Sequence, residues 1–150
     1  NIEEVPVVGA KAAGVKAINL KDGDQVAAAF KSTTQSMYIL TQRGSLKRMS
    51  QDDIPVTSRA KRGLQVLREL KNKPHRVFKA GPVFTDQGDF DLFTSQEEVG
   101  EQDQILAITS TTGQVTEIDL TQLSISERTS NGSFVNDTIS DQEVFSATIK

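Results

Sequence analysis

The sequence predicts an all-β fold in which one antiparallel unit is repeated along the chain, and three observations support this. Short apolar runs are separated by turns that contain glycine, which is typical of strands rather than helices. The chain resembles itself when it is shifted by 49 or by 69 positions. About four short strands fit into each 50 residues, which is the density expected of a propeller blade.

The repeated unit ends at a glycine in each copy. These glycines are Gly14, Gly63 and Gly132. The shift of 49 places residues 5–7 on 54–56, and the shift of 69 places residues 39–49 on 108–118. We therefore predict blade copies over approximately residues 10–58, 59–127 and 128–150, the last one incomplete, within a single domain. The second copy is longer by twenty residues, which lie between positions 70 and 104.

The first copy shows the predicted strands in order. Residues 15–20 alternate between apolar and polar, residues 21–24 form a turn, and residues 26–30 read as a second strand. Residues 37–41 and 46–49 then flank a hairpin turn in which Gly44 supplies a positive φ.

The end of the first copy carries two signals that need interpretation. Pro55 places the last strand at a sheet edge or at a strand start, because proline cannot donate to the ladder. Leucines at near-helical spacing over residues 60–71 suggest a helix, but the aligned segment of the first copy reads as strand and Gly63 interrupts the pattern. No helix is predicted there.

The composition excludes most kinds of catalytic site. There is no cysteine, so disulfides, cysteine-based zinc sites and thiol nucleophiles are excluded. His75 is the single histidine, which leaves no second imidazole for the usual zinc enzymes, and we expect it to be a packed or surface residue. No apolar run approaches the roughly 18 residues of a membrane span, and no signal peptide is evident. We expect a soluble cytoplasmic domain without a cofactor, a metal or a membrane partner.

The charges are divided unevenly along the chain. Residues 1–79 hold 15 of the 17 Lys and Arg and 7 of the 20 Asp and Glu, although the net charge is −3. Such asymmetry predicts one basic surface that meets a polyanion. The alternative is that the two oppositely charged halves attract each other or merely aid solubility.

The repeats resemble those of the C-terminal domain of type IIA topoisomerase A subunits. The resemblance rests on residues 10–20, which contain Gly-Val-Lys, on Asp-Gly-Asp at 22–24, and on Ile-Leu-Thr to Lys-Arg at 39–48. It implies a β-pinwheel, a propeller variant that binds and bends duplex DNA around its rim. It also implies two protein partners, the ATPase B subunit of the enzyme and the remainder of its A subunit. The activity implied is that of an ATP-dependent isomerase whose cleavage core lies elsewhere, in a nucleoid-associated bacterial enzyme.

Two departures from the family pattern bear on this interpretation. The glycine-rich QRRGGKG box of the gyrase family members is absent, and residues 42–47 and 61–65 only partly resemble it. This favours the topoisomerase IV branch of the family over the gyrase branch. In addition, two and a fraction copies cannot close a ring of at least four blades, so we interpret the chain as part of a longer domain.

Phosphate contact requires positive charge held along a surface, and it supplies most sequence-independent affinity for DNA. The predicted DNA-binding residues are the cations of the first hairpin, of the two copy starts and of the long insertion. They are Lys11, Lys16, Arg43, Lys47, Arg48, Arg59, Lys61, Arg62, Lys71 and Lys73. At the aligned positions of the next hairpin the charges are lost, because Arg43, Lys47 and Arg48 align with Thr112, Thr116 and Glu117.

Other candidate residues point less clearly to a function. Tyr38 lies at a strand start and is expected to pack, because the cleaving tyrosine of the family belongs to the catalytic core. The acidic residues between 86 and 103 could hold a hard cation through their oxygens, although they lack the spacing of a calcium loop. They could instead repel DNA and confine it to the basic copy, or dock on another part of the enzyme. The alternative function is therefore a propeller-type protein-interaction module with no use for DNA, or the DNA-wrapping domain of DNA gyrase. No catalytic constellation is present in the sequence.

Overall fold

The computed structural model describes residues 2–32, 34–84, 104–136 and 143–150. Its regular elements are almost entirely strands, and the prediction of an all-β antiparallel fold is confirmed. The strands are β1 (Ser36–Thr41), β2 (Ser45–Ser50), β3 (Val77–Val83), β4 (Ile105–Ser110), β5 (Val115–Asp119), β6 (Ser133–Phe134) and β7 (Val144–Ile149). Two short 3₁₀ turns, Ile2–Glu4 and Leu120–Gln122, complete the regular structure of these ranges.

Both predicted hairpins form where the repeat places them. Strands β1 and β2 pair antiparallel with Tyr38 opposite Arg48, and strands β4 and β5 pair in the same way. The turns contain Gly44 at φ 76° and Gly113 at φ 84°. Residues with a Cβ atom rarely adopt this left-handed backbone conformation. The two glycines are 69 positions apart, so the hairpin turn is a true repeat.

Each hairpin pairs with a strand that follows it by many residues. The first sheet has the order β3-β1-β2-β6, and the second sheet has the order β5-β4-β7. Strand β3 pairs with β1 and strand β7 pairs with β4, and both pairings shift register at corresponding positions, between Leu40 and Thr41 and between Thr109 and Ser110. A strand of the next copy therefore completes each sheet. The copy boundaries given above stay a prediction.

Three expected strands of the first copy are absent, and that part of the prediction is wrong. Residues 15–20, 26–30 and those around Pro55 have no ladder, and the pairing there is one isolated parallel bridge between Ile18 and Lys61. A strand requires a partner with free N–H and C=O groups. In the described part of the chain no hairpin precedes residues 26–30, whereas β3 and β7 each follow one.

The interior consists of two apolar clusters on opposite faces of the first sheet. One lies between the sheets and joins side chains from both, with Leu40, Leu106 and Leu120 fully buried. The other lies on the outer face and joins Met37, Ile39 and Met49 to Leu67. Because both faces are covered, all six residues of β1 are buried.

The three glycines of the repeat share one backbone conformation. Their φ angles are 79° at Gly14, 77° at Gly63 and 74° at Gly132. This agreement supports the repeat. No α-helix is present over residues 60–71, as predicted, and none of the helices in the described ranges could cross a membrane.

Candidate nucleic-acid interface

Positive charge is concentrated on the segment that joins β2 to β3. We call residues 51–76 the basic connection, because it contains seven Lys and Arg and three Asp and Glu. The corresponding connection of the next copy, residues 120–132, contains one of each. The fold therefore presents one of its two connections as a cationic surface.

The basic connection is held to the first sheet although it contains no strand. Leu67 is buried in the outer apolar cluster. On either side of it, the Val66 carbonyl accepts a hydrogen bond from Lys47 Nζ at 2.5 Å, and the Arg68 backbone N–H donates to Asn131 Oδ1 at 2.8 Å. The middle of the basic connection is therefore held in place by both backbone hydrogen bonds and side-chain packing.

A second cationic segment lies beside the basic connection. The Asn19 N–H donates to the Lys61 carbonyl at 3.0 Å, and the Ala60 N–H donates to the Ala17 carbonyl at 2.9 Å. This parallel bridge brings residues 9–20, which we call the N-terminal segment, against residues 59–62. The structure thus joins two of the predicted basic groups, the starts of the first and second copies.

Six of the predicted DNA-binding cations are exposed on these two segments. They are Lys11, Lys16, Lys61, Arg62, Lys71 and Lys73. Lys16 Nζ donates to Asn19 Oδ1 at 2.8 Å, beside the bridge to Lys61. Arg59 is half-buried, and its backbone N–H donates to Glu4 Oε2 at 3.2 Å. The six exposed residues form the accessible part of the predicted site.

Lys47 does not lie on the surface, which corrects the expectation that it forms part of a basic rim. Its side chain is 2% exposed. Its ammonium donates to the carbonyls of Val66 at 2.5 Å, Arg128 at 2.6 Å and Ser130 at 2.8 Å, with the Glu127 carbonyl at 3.5 Å. A phosphate cannot reach a cation enclosed in this way.

Arg43 and Arg48 are also committed to contacts within the chain. Arg48 donates to Ser36 Oγ at 2.8 Å and to the Thr121 carbonyl at 2.9 Å. Arg43 donates to the Lys73 carbonyl at 2.6 Å, and its guanidinium lies 5.6 Å from the centre of the Phe134 ring. Both are partly buried, so the hairpin cations join one copy to the next.

Among the described residues, the second hairpin has different surroundings from the first. Strand β2 is interior to its sheet and meets β6, whereas β5 is an edge strand among the described residues. Glu117 on β5 forms an exposed ion pair with Lys150, which directly follows β7 of the same sheet. The hairpin that faces a following connection carries Lys and Arg, and the hairpin at the edge does not.

The enclosure of Lys47 makes its protonation depend on folding. Burial and the nearby charge of Arg128 lower the pKa of Lys47 from 10.5 to about 8, although Asp53 acts in the opposite direction. Between pH 8 and 10.5 the folded chain has released a proton that the unfolded chain retains, so raising the pH favours the folded state.

We expect the unfolding free energy of the wild type, measured in urea, to rise relative to that of Lys47→Met as the pH is raised from about 7 to about 10. Lys47→Met has no such proton to release and serves as the reference. A constant difference between the two proteins over this range would contradict the lowered pKa.

The remaining candidates have structural positions. His75 is buried between Thr41 Oγ1, at 3.2 Å from Nδ1, and Arg43, at 3.0 Å from Nε2, so it is a packed histidine. Tyr38 is 2% exposed and packs against Gly81, as expected. The acidic residues at 86–103 lie outside the described residues. Among the residues that are described, no group of three acidic or histidine side chains could hold a metal ion.

Arg68 is an exposed cation of the basic connection that sequence reasoning missed. It lies between Leu67 and Leu70, two of the leucines at near-helical spacing. Its backbone is fixed by Asn131 while its side chain faces solvent. The signal that could have identified it is its position within the run of cations from Arg59 to Arg76.

Fold and site together define a class of protein, namely an all-β repeat domain that carries a cationic connection on its outer face. The chain matches the family model described as DNA gyrase C-terminal domain, beta-propeller, over residues 1–33 and 35–83. The chain belongs to this family.

Known proteins agree with this assignment. The chain is 62% identical over 147 residues to the A subunit of DNA topoisomerase 4 from Streptococcus pyogenes serotype M3 (strain ATCC BAA-595 / MGAS315), covering 97% of this chain and 18% of that protein. It is 42% identical over 136 residues to the A subunit of DNA topoisomerase 4 from Bacillus subtilis (strain 168), covering 90% of this chain and 15% of that protein.

A solved structure is also similar. The crystal structure of the C-terminal domain of DNA topoisomerase IV matches with a TM-score of 0.74 and 32% identity, covering 97% of this chain and 41% of that one. The chain therefore spans less than a fifth of the length of the two relatives and under half of the solved domain.

Proposed function

We propose that the chain is a non-catalytic DNA-binding module of the A subunit of a type IIA topoisomerase, of the topoisomerase IV type. It contacts duplex DNA and supports strand passage, relaxation and decatenation by the intact enzyme in the bacterial cytoplasm. Its partners are duplex DNA, the ATPase B subunit of the enzyme and the remainder of its A subunit. The observation that carries the proposal is the bridge between Ile18 and Lys61, which joins two cationic segments into one surface.

The proposed contact set follows from accessibility. Exposed ammonium and guanidinium groups neutralise phosphates and release counterions, whereas buried ones cannot. The set therefore keeps the six exposed cations, adds Arg68, and leaves out the three hairpin cations and the half-buried Arg59. Its members are Lys11, Lys16, Lys61, Arg62, Arg68, Lys71 and Lys73.

Titration of a labelled duplex at several salt concentrations tests the proposal. If about five of these seven cations each neutralise a phosphate, a plot of the logarithm of the association constant against the logarithm of salt concentration is expected to have a slope of about −4.5. A duplex of unrelated sequence is the control, and it should bind equally, because phosphate contacts carry no sequence information. Absence of binding at about 50 mM salt would remove the proposal for this chain.

A further inference from the structure

The basic connection, unlike the sheets, has no strand pairing that would fix its backbone. It runs from β2 to β3 without a strand of its own, and Lys61 and Arg62 on it are exposed. A loop that must be ordered on binding loses affinity, because the ordering opposes association. A cationic connection that binds DNA well therefore needs an anchor that fixes it beforehand.

Lys47 is placed to be that anchor. It lies on β2, an interior strand of the first sheet, and its ammonium is directed at the carbonyl of Val66. Val66 is four positions from Arg62 and two from Arg68. On its other side the same ammonium holds the carbonyls of Arg128 and Ser130, which belong to the connection of the next copy.

The carbonyls around the Lys47 ammonium hold the basic connection in one position. A buried ammonium that loses its acceptors is strongly destabilised, so a displaced Val66 carbonyl would leave a donor unsatisfied. Three N–H groups meet three carbonyls at 2.5–2.8 Å, drawn from two different connections. The arrangement therefore resists movement of the basic connection relative to both the sheet and the next copy.

We infer that Lys47 is a positioning residue for DNA binding, which holds the basic connection in its binding conformation through backbone carbonyls and does not itself touch DNA. This inference rests on the proposed function. It assigns to a residue of the hairpin a role in affinity that is separate from phosphate contact.

The decisive variant is Lys47→Met, which keeps most of the length of the side chain and removes its donors. Duplex affinity is expected to fall about tenfold through the cost of ordering the connection, while the salt slope stays at the wild-type value, since the same phosphates are met. Hydrogen exchange of the backbone amides at 61–68 is expected to become faster in the free protein.

Two further variants separate the possible causes. Lys79→Met is the matched control, because Lys79 Nζ also donates to a carbonyl of the following copy, but its acceptor, Ala147 at 2.6 Å, lies outside the basic connection. It should leave affinity and the exchange at 61–68 unchanged. Lys61→Met removes an exposed cation and should reduce the magnitude of the salt slope by about 0.9.

The outcomes divide cleanly. If Lys47→Met reduces the slope as Lys61→Met does, or if exchange at 61–68 is unaltered, the inference is overturned. If neither the wild type nor any variant binds duplex, but amide exchange at 61–68 is still faster in Lys47→Met alone, Lys47 anchors the connection and the proposed function fails. Should Lys47→Met not fold, Lys47→Gln, which retains two amide donors, is expected to show the same changes to a smaller degree.

Discussion

Replacing Lys61 and Arg62 together by glutamate is expected to weaken duplex binding about 100-fold at low salt. Both side chains are exposed, and both lie at the bridge that joins the N-terminal segment to the basic connection. The change removes two phosphate contacts and introduces two repulsive charges at the centre of the cationic surface. Fluorescence anisotropy of a labelled duplex at about 50 mM salt measures the loss.

The matched control is Lys71→Glu with Lys73→Glu, which changes the charge by the same amount on the same connection. These residues lie toward the hairpin turn, where the Lys73 carbonyl accepts a hydrogen bond from Arg43, whereas the bridge to the N-terminal segment is formed at Lys61. A loss several-fold smaller than that of the first pair is expected. Equal losses would show that the DNA path is not centred on the bridge, and the thermal midpoint of each variant verifies that it is folded.

Gly132→Ala is expected to destabilise the fold by about 3–5 kcal/mol. Gly132 has a φ of 74°, and a Cβ built on it would overlap the Leu46 carbonyl oxygen and lie 2.9 Å from Lys47 Cβ. Backbone atoms of β2 cannot move aside without breaking the sheet. Strain of the left-handed region and overpacking therefore act together, and urea denaturation measures the sum.

The repeat supplies the control for this substitution. Gly63 occupies the same position in the preceding copy with a φ of 77°, but a Cβ there would meet nothing within 4 Å. Gly63→Ala should therefore cost only the conformational strain, about 1–2 kcal/mol. Equal destabilisation by the two substitutions would contradict the close packing of Gly132 on β2.

The local features of the fold could be predicted from the sequence. The hairpin around Gly44 depends on four adjacent residues and on the apolar runs beside them, and the positive φ of the repeat glycines is likewise a local backbone property. The strands expected at 15–20 and 26–30 could not be judged locally. A strand exists only when a second one pairs with it, and the pairing of β3 and β7 shows that the partner belongs to another copy.

The sequence predicted where the cations of the site lie along the chain, but not which of them are exposed to solvent. Five of the seven cations of the basic connection were predicted from the sequence, because they lie close together along it, and Arg68 was missed. Lys47 was misplaced on the surface, since the carbonyls that enclose it come from residues up to 83 positions away. Burial of a charged side chain is set by such distant backbone groups, which no pattern around residue 47 encodes.

The exchange of strands between copies has a consequence for how the chain is made. The first sheet has only its β1–β2 hairpin until β3 emerges from the ribosome, and the second sheet stays open until β7 follows. During synthesis each sheet can therefore be completed only after part of the next copy has emerged, and such non-local pairing is slow. A premature stop within one copy would leave the sheet of the copy before it without its third strand.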